Sequence, residues 1–147
     1  MTATEVLFGF RGRVSRGLFN AGMLMLAAVA ALQEVLVFEL APAMLPRGFL
    51  PMAHLYGIVF AGAVGLIAFS ALAVKRLHDL DRSGGALVAM VIGPVLVLAI
   101  EALAGPAPLA HYAALAVLAW AITDLALMPG TDGPNRFGED PRARLAA

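Results

Sequence analysis

Most of the charged side chains in this sequence fall in three short blocks. The first is Phe10-Arg11-Gly12-Arg13-Val14-Ser15-Arg16. The second is Lys75-Arg76-Leu77-His78-Asp79-Leu80-Asp81-Arg82-Ser83-Gly84, and the third runs from Gly130-Thr131-Asp132-Gly133 through Asn135-Arg136-Phe137-Gly138 to Glu139-Asp140-Pro141. Arginine suits bidentate contact with phosphate or carboxylate. Glycine-rich turns such as Gly130 to Gly138 can aim backbone N–H groups at an anion. A simple charged anchor needs only Lys and Arg, and has no use for Gly, Asn, His and Asp at fixed places. The blocks therefore point to a polar cap that grips an anionic group, most simply a phospholipid head group. Its candidate residues are Arg13, Arg16, Arg76, His78, Asp79, Arg82, Ser83, Asn135, Arg136 and Asp140. The rival reading is an internal lock, in which the arginines pair with Asp79, Asp132 and Asp140. Asp79 follows Lys75 by four residues and Arg76 by three, so pairs along a helical extension are available. At an exposed boundary each would be worth only ~0–1 kcal/mol.

His78, Asp79 and Ser83 resemble the parts of a catalytic triad, but adjacent helical residues point about 100° apart, so Asp79 is poorly placed to orient His78. No catalytic residue is assigned, and the reading is of a protein that is not an enzyme. Asp124 lies inside an apolar run, where a carboxylate is costly and marks a candidate functional site. One turn from the end of that run, it could pair with Arg16, Lys75 or Arg76. Glu34, Glu39 and Glu101, with His54 and His111, could form a metal or proton site at the opposite end. No His-x-x-x-His spacing supports it, so no metal and no cofactor is assigned. Ten Lys and Arg balance ten Asp and Glu. That neutrality excludes a broad basic nucleic-acid binder. With no Cys, disulfides, cysteine zinc sites and thiol nucleophiles are also excluded. The chain is 61% hydrophobic and 14% charged, with a mean hydropathy of +0.88, which excludes disorder.

The elements that must position these blocks are apolar helices. Four runs cover about 18–40, 55–74, 86–103 and 111–128, followed by a polar tail, 129–147. Crossing a ~30 Å hydrocarbon core takes about 17–25 helical residues. In lipid every backbone N–H and C=O must be satisfied within the segment, which leaves helices and not open sheets. The expected fold is all-α: one domain over residues 1–147, an integral membrane four-helix bundle. Pro42, Pro46, Gly48 and Pro51 separate the first two runs, and Gly105, Pro106 and Pro108 follow the third. Gly93-Pro94 inside the third predicts a kink. Trp120 reads as mid-span packing, and Phe8, Phe10, Tyr56 and Tyr112 as interfacial anchors. A cleaved leader ending at Ala41-Pro42-Ala43 is disfavoured, because its apolar run is too long.

Four spans put both termini on one side. That side holds Arg11, Arg13, Arg16, Lys75, Arg76, Arg82, Arg136, Arg142 and Arg144, against Arg47 alone on the other. The asymmetry predicts cytoplasmic termini in a multi-pass bacterial inner (plasma) membrane protein. Gly57, Ala61 and Gly65 recur on one helical face, as bundle packing or as a homo-oligomer interface. The leading function is binding of lipid, an anionic ligand or a protein partner by the cap, with no nucleic acid involved. The alternative is an oligomeric transporter or channel subunit, supported by Asp124 and the Gly93-Pro94 break.

The three blocks together resemble the bacterial inner-membrane family catalogued as domain of unknown function 805. Gly12-Arg13 with Arg16, Arg76-Leu77-His78-Asp79 with Ser83-Gly84, and Gly133 with Asn135-Arg136-Phe137-Gly138 and Asp140-Pro141 match its pattern. The family often has Trp after Phe19 and after Gly84, where Asn20 and Gly85 stand here. The resemblance spans nearly the whole chain. It implies a small four-helix inner-membrane protein and brings no established activity.

Overall fold

A computed structural model of the chain describes residues 2–40, 46, 49, 52, 55 and 57–143. Arg47, His54, Tyr56, Arg144, Ala41-Pro42-Ala43, Gly48 and Pro51 lie outside the described residues, as does the side chain of Glu39. Among the described residues there are helices and no strand; the nearest approach to pairing is an isolated bridge between Asn135 and Gly138. Helix α1 is Ala3–Phe8 and α2 is Arg16–Glu34, extended by a wider π-helical stretch, Val35–Leu40. A second π stretch, Gly57–Ala61, leads into α3, Gly62–Asp79. A third, Val88–Ile92, leads into α4, Gly93–Ala104, and α5 is Pro108–Ala126.

Three of these helices are long and apolar enough to cross a membrane: Arg16–Val37, Val59–Asp79 and Pro108–Ala126. The 17-residue helix Val88–Ala104 is apolar but shorter. These bounds correct the sequence reading at the second run. It does not stop at Val74; α3 continues to Asp79, because Lys75, Arg76 and Asp79 find partners that let them stay in the helix while buried. The fourth begins earlier and ends earlier than 111–128. Pro108 starts it at the first helical position, where its missing N–H is not needed. The third handles Gly93-Pro94 through its π stretch: the Gly93 N–H reaches back to the Val88 carbonyl, and Pro94 then opens α4.

The surface inverts the rule for soluble proteins. Lys75 and Arg76 are completely buried, whereas Leu103 is 90% exposed and Leu109 86%. Charged groups sit almost never fully inside unless paired, and broad exposed apolar surfaces mark an apolar neighbour. A bilayer satisfies both facts. The close-packed core lies toward one end, where Val14, Phe19, Leu72, Leu77, Leu87, Met90 and Leu125 meet. Helix α1 packs on α3, α3 on α2, and α4 on α5, while α2 and α5 touch at few places. That last gap leaves a groove.

Candidate functional site

The three polar blocks converge at the end of the bundle where α2 begins and α3 and α5 end. Asp79 closes α3, and its carboxylate is the hub. Arg13 donates to Asp79 Oδ1 from Nε at 3.1 Å, with Nη2 3.0 Å away, and Arg76 donates to Oδ2 from Nη1. All three side chains are buried. A lone buried ion costs several kcal/mol, so such a cluster persists only when every donor and acceptor is used. Arg13 meets that condition through the third block. Its Nη1 donates to the Gly133 carbonyl (2.6 Å) and the Gly138 carbonyl (3.2 Å), and its Nη2 to the Thr131 carbonyl (2.7 Å). The loop from Gly130 to Gly138 therefore presents carbonyls to a cation. One of its N–H groups also meets an anion, but an internal one: Gly133 N–H donates to Asp140 Oδ2 at 3.1 Å. Gly133 and Gly138, at φ of 73° and 134°, bend the chain so that both carbonyls reach one guanidinium.

The same loop is pinned to the backbone of α3. The Thr131 N–H and hydroxyl both donate to the Asp79 carbonyl, at 2.8 and 3.1 Å. Asn135 Nδ2 donates to the His78 carbonyl at 2.9 Å. Gly130 has no alternative here. A Cβ at that position would stand 2.0 Å from Asp79 Oδ2.

Helix C-termini leave their last carbonyls without intrahelical partners. At the end of α5 and just past it, the carbonyls of four successive residues are taken by side chains from two other helices. Leu125 accepts from Arg76 Nε (2.8 Å), Ala126 from Asn20 Nδ2 (3.1 Å), Leu127 from Arg16 Nη1 (2.9 Å), and Met128 from Arg76 Nη2. Cations at a helix C-terminus also complement its dipole. Lys75 does the same for α1, donating from Nζ to the Glu5 carbonyl (2.7 Å) and to that of Val6. The start of α1 is fixed separately. Thr2 and Glu5 form a reciprocal capping box, and its hydrogen bonds hold the Glu5 carboxyl below its ordinary pKa.

Around this buried centre lies a more exposed layer. His78 Nδ1 donates to the Gly12 carbonyl at 3.1 Å, and its ring stacks on Phe137 at 4.0 Å. Since a carbonyl can only accept, the Nδ1 nitrogen carries the proton. His78 is thus bound by neither Asp79 nor Ser83, and a triad is not assembled. Ser83 stands exposed beyond the cluster, its carbonyl accepting from Ala86 at the start of the next helix. Arg136 lies over Phe137 and pairs with Asp81, not with Asp79, Asp132 or Asp140. Arg142 takes Asp132 and Asp140 instead. Arg142 and the Gly133 N–H hold the Asp140 carboxyl down at about 2, and the two carboxylates raise the Arg142 pKa above its ordinary value.

Asp124 differs from expectation in its partner. It pairs with Arg82, the cation that opens the link to the next helix, and not with Arg16, Lys75 or Arg76. Lys75 and Arg76 are committed to backbone carbonyls and, for Arg76, to Asp79, and Arg16 is tied to the Leu127 carbonyl by one donor. Arg82 also lies over the ring of Trp120, 5.9 Å from its centroid. Trp120 is 53% exposed, so it is an outward-facing side chain beneath a cation and not buried packing. At the opposite end Glu101 accepts from His111 (2.8 Å) and from the Ala107 N–H (2.9 Å). Among the described residues no three His, Asp or Glu side chains gather as metal ligands. The small-residue stripe divides: Gly57 abuts Val37, whereas a Cβ at Gly65 would meet nothing within 4 Å.

Sequence reasoning proposed both a cap and a lock, and named most of the participants. It missed Asn20, Thr131 and the carbonyls of Leu125 through Met128. A polar Asn one turn into an apolar helix was the available signal for the first.

The family model described as protein of unknown function (DUF805) matches residues 7–139, and the chain belongs to that family. The uncharacterized protein YiiR of Escherichia coli K12 is 29% identical over 150 residues, covering 95% of this chain and 90% of its own. The protein of the same name from the O157:H7 strain matches to the same extent. No solved structure matches.

Proposed function

We propose that this is a non-enzymatic, multi-pass protein of the bacterial inner membrane, with four spans and cytoplasmic termini, whose polar end holds anionic phospholipid. The buried cluster around Asp79 is the frame of that end and not its binding surface. Arg13, Arg76 and Lys75 spend their donors on the chain itself. The observation that carries the reading is what this leaves over. Arg11 and Arg16 are exposed. Among the described residues only one Arg16 N–H donor, on Nη1, has a protein acceptor, and Arg11 has none. Arg16 opens an apolar helix long enough to span a bilayer and Arg11 lies five residues before it, the end at which lipid phosphates are expected, and guanidinium matches phosphate geometry. The asymmetry of nine basic residues against one in the four-span arrangement supports a cytoplasmic position for that end.

A transporter is the less favoured reading, because Asp124, its best support, gives its carboxylate to Arg82 at the polar end. Two measurements test the proposal. The chain lacks Cys, so Thr2→Cys and Glu139→Cys are clean topology reporters; both should react with an impermeant maleimide only in inverted vesicles. Phosphatidylglycerol retained by purified protein should fall in Arg11→Gln/Arg16→Gln, with thermal stability kept. Retention equal to the parent protein would refute it.

A further inference from the structure

The gap between α2 and α5 is a groove of about 490 Å³. Met23 and Leu24 line one side, Leu118 and Ile122 the other, and Phe69 and Val91 contribute from the neighbouring segments. Of its eleven lining residues only Asn20 is polar. Its rims are open, since Leu24 and Ile122 are both largely exposed. Asn20 and Arg16 bridge from α2 to the Ala126 and Leu127 carbonyls, which closes the groove at the polar end. Arg16 precedes Phe19 and Asn20 by three and four residues, so it stands over the groove on the same helical face.

Resting on the reading above that the polar end holds anionic phospholipid, we infer that this groove seats one acyl chain of that lipid, with its phosphate on Arg16. The arrangement matches an amphiphile with a negative head. Hydrocarbon runs along Met23, Leu118 and Ile122, and the guanidinium waits beyond its ester end, where the glycerol carries the phosphate. Arg16 Nη1 is anchored on Leu127, which aims the remaining donors without freeing the side chain. A second copy of this chain is a poorer occupant. Symmetric pairing on this face, with both copies in the same orientation, brings equivalent patches together and sets Arg16 beside Arg16. Like charges there repel, and a lipid phosphate between α2 and α5 does not incur that repulsion.

The test is native mass spectrometry of the full chain released from nanodiscs of phosphatidylglycerol and phosphatidylethanolamine. Leu118→Trp and, from the facing wall, Met23→Trp fill the groove and leave Arg11 and Arg16 in place. Each should cut the tightly retained phosphatidylglycerol at least ten-fold while thermal stability stays near that of the parent. Arg16→Gln should instead keep a retained lipid but lose the preference for phosphatidylglycerol over phosphatidylethanolamine. Retention that survives both Trp variants but is lost in Arg11→Gln/Arg16→Gln overturns the groove and leaves the polar-end reading standing. Retention untouched by any of them overturns both. A dimer that becomes monomeric in the Trp variants, with lipid unchanged, assigns the groove to a second copy and also overturns the inference.

Discussion

Replacing Asp79 by Asn tests the physical core of this structure, because it removes one charge and little volume. The Asp79 carboxylate is 3% exposed as a residue and serves two guanidiniums that are equally buried. Breaking a buried ion pair by removing one partner costs about 3–5 kcal/mol, since the other charge stays in a low-dielectric site. Here two cations lose their counter-charge together. The amide also turns one acceptor into a donor facing Arg13 or Arg76. Some of the loss is offset, because Arg13 keeps the carbonyls of Thr131, Gly133 and Gly138, and Arg76 keeps those of Leu125 and Met128. The expected destabilisation is therefore about 3–5 kcal/mol, without the doubling that two independent pairs would give. Asp81→Asn is the matched control. It makes the same change two residues away, in a pair whose side chains are 47% and 61% exposed, where about 0–1 kcal/mol is expected. Both variants can be titrated to unfolding with SDS in mixed micelles, following helicity and Trp120 fluorescence. If Asp79→Asn costs no more than Asp81→Asn, the charge cluster does not hold the helices together and the reasoning fails.

Gly130→Ala should cost about 1–3 kcal/mol in the same titration, since its Cβ would lie within 2.0 Å of Asp79 Oδ2 and force the carboxylate off its arginines. Arg82→Gln strands the buried Asp124 carboxylate and should cost about 1–3 kcal/mol, most of it recovered in Arg82→Gln/Asp124→Asn; a double variant no better than the single one refutes the pair. Asp140 titrates at about 2, below its ordinary 3.8. Its stabilisation of the 130–142 loop is thus complete above 3.8 and is lost as pH falls through about 2. The Gly133 amide shift, read by NMR, should report that midpoint, and Arg142→Gln should move it upward.

Much of this architecture is legible without coordinates. Long apolar runs announce helices in a bilayer because hydrophobicity is additive along a segment and needs no knowledge of neighbours. The three polar blocks, and Arg13, Arg76, Asp79, Asn135 and Arg136 within them, stand out for the same reason: polarity is conspicuous against so apolar a background. Where the sequence reading erred, it erred about partners. Pairs along a helical extension past Val74 were legible, but not that Lys75 and Arg76 would be buried there, because the carbonyls that take their donors lie far away in the chain. The carbonyls of Leu125 through Met128 carry no mark in the sequence, since every residue has one.

Whether Arg13 grips an external anion or the chain itself was undecidable from its type and spacing, because guanidinium meets carboxylate, phosphate and carbonyl alike. Only the convergence of three helix ends settled it, by placing Asp79 and the loop carbonyls within hydrogen-bonding distance of the same side chain. The sequence by itself determined which segments are apolar and where the charges gather. The tertiary structure decided which charges are consumed in holding the helices and which stay exposed. Pairing depends on distances between residues far apart in the chain, and no local pattern encodes those distances.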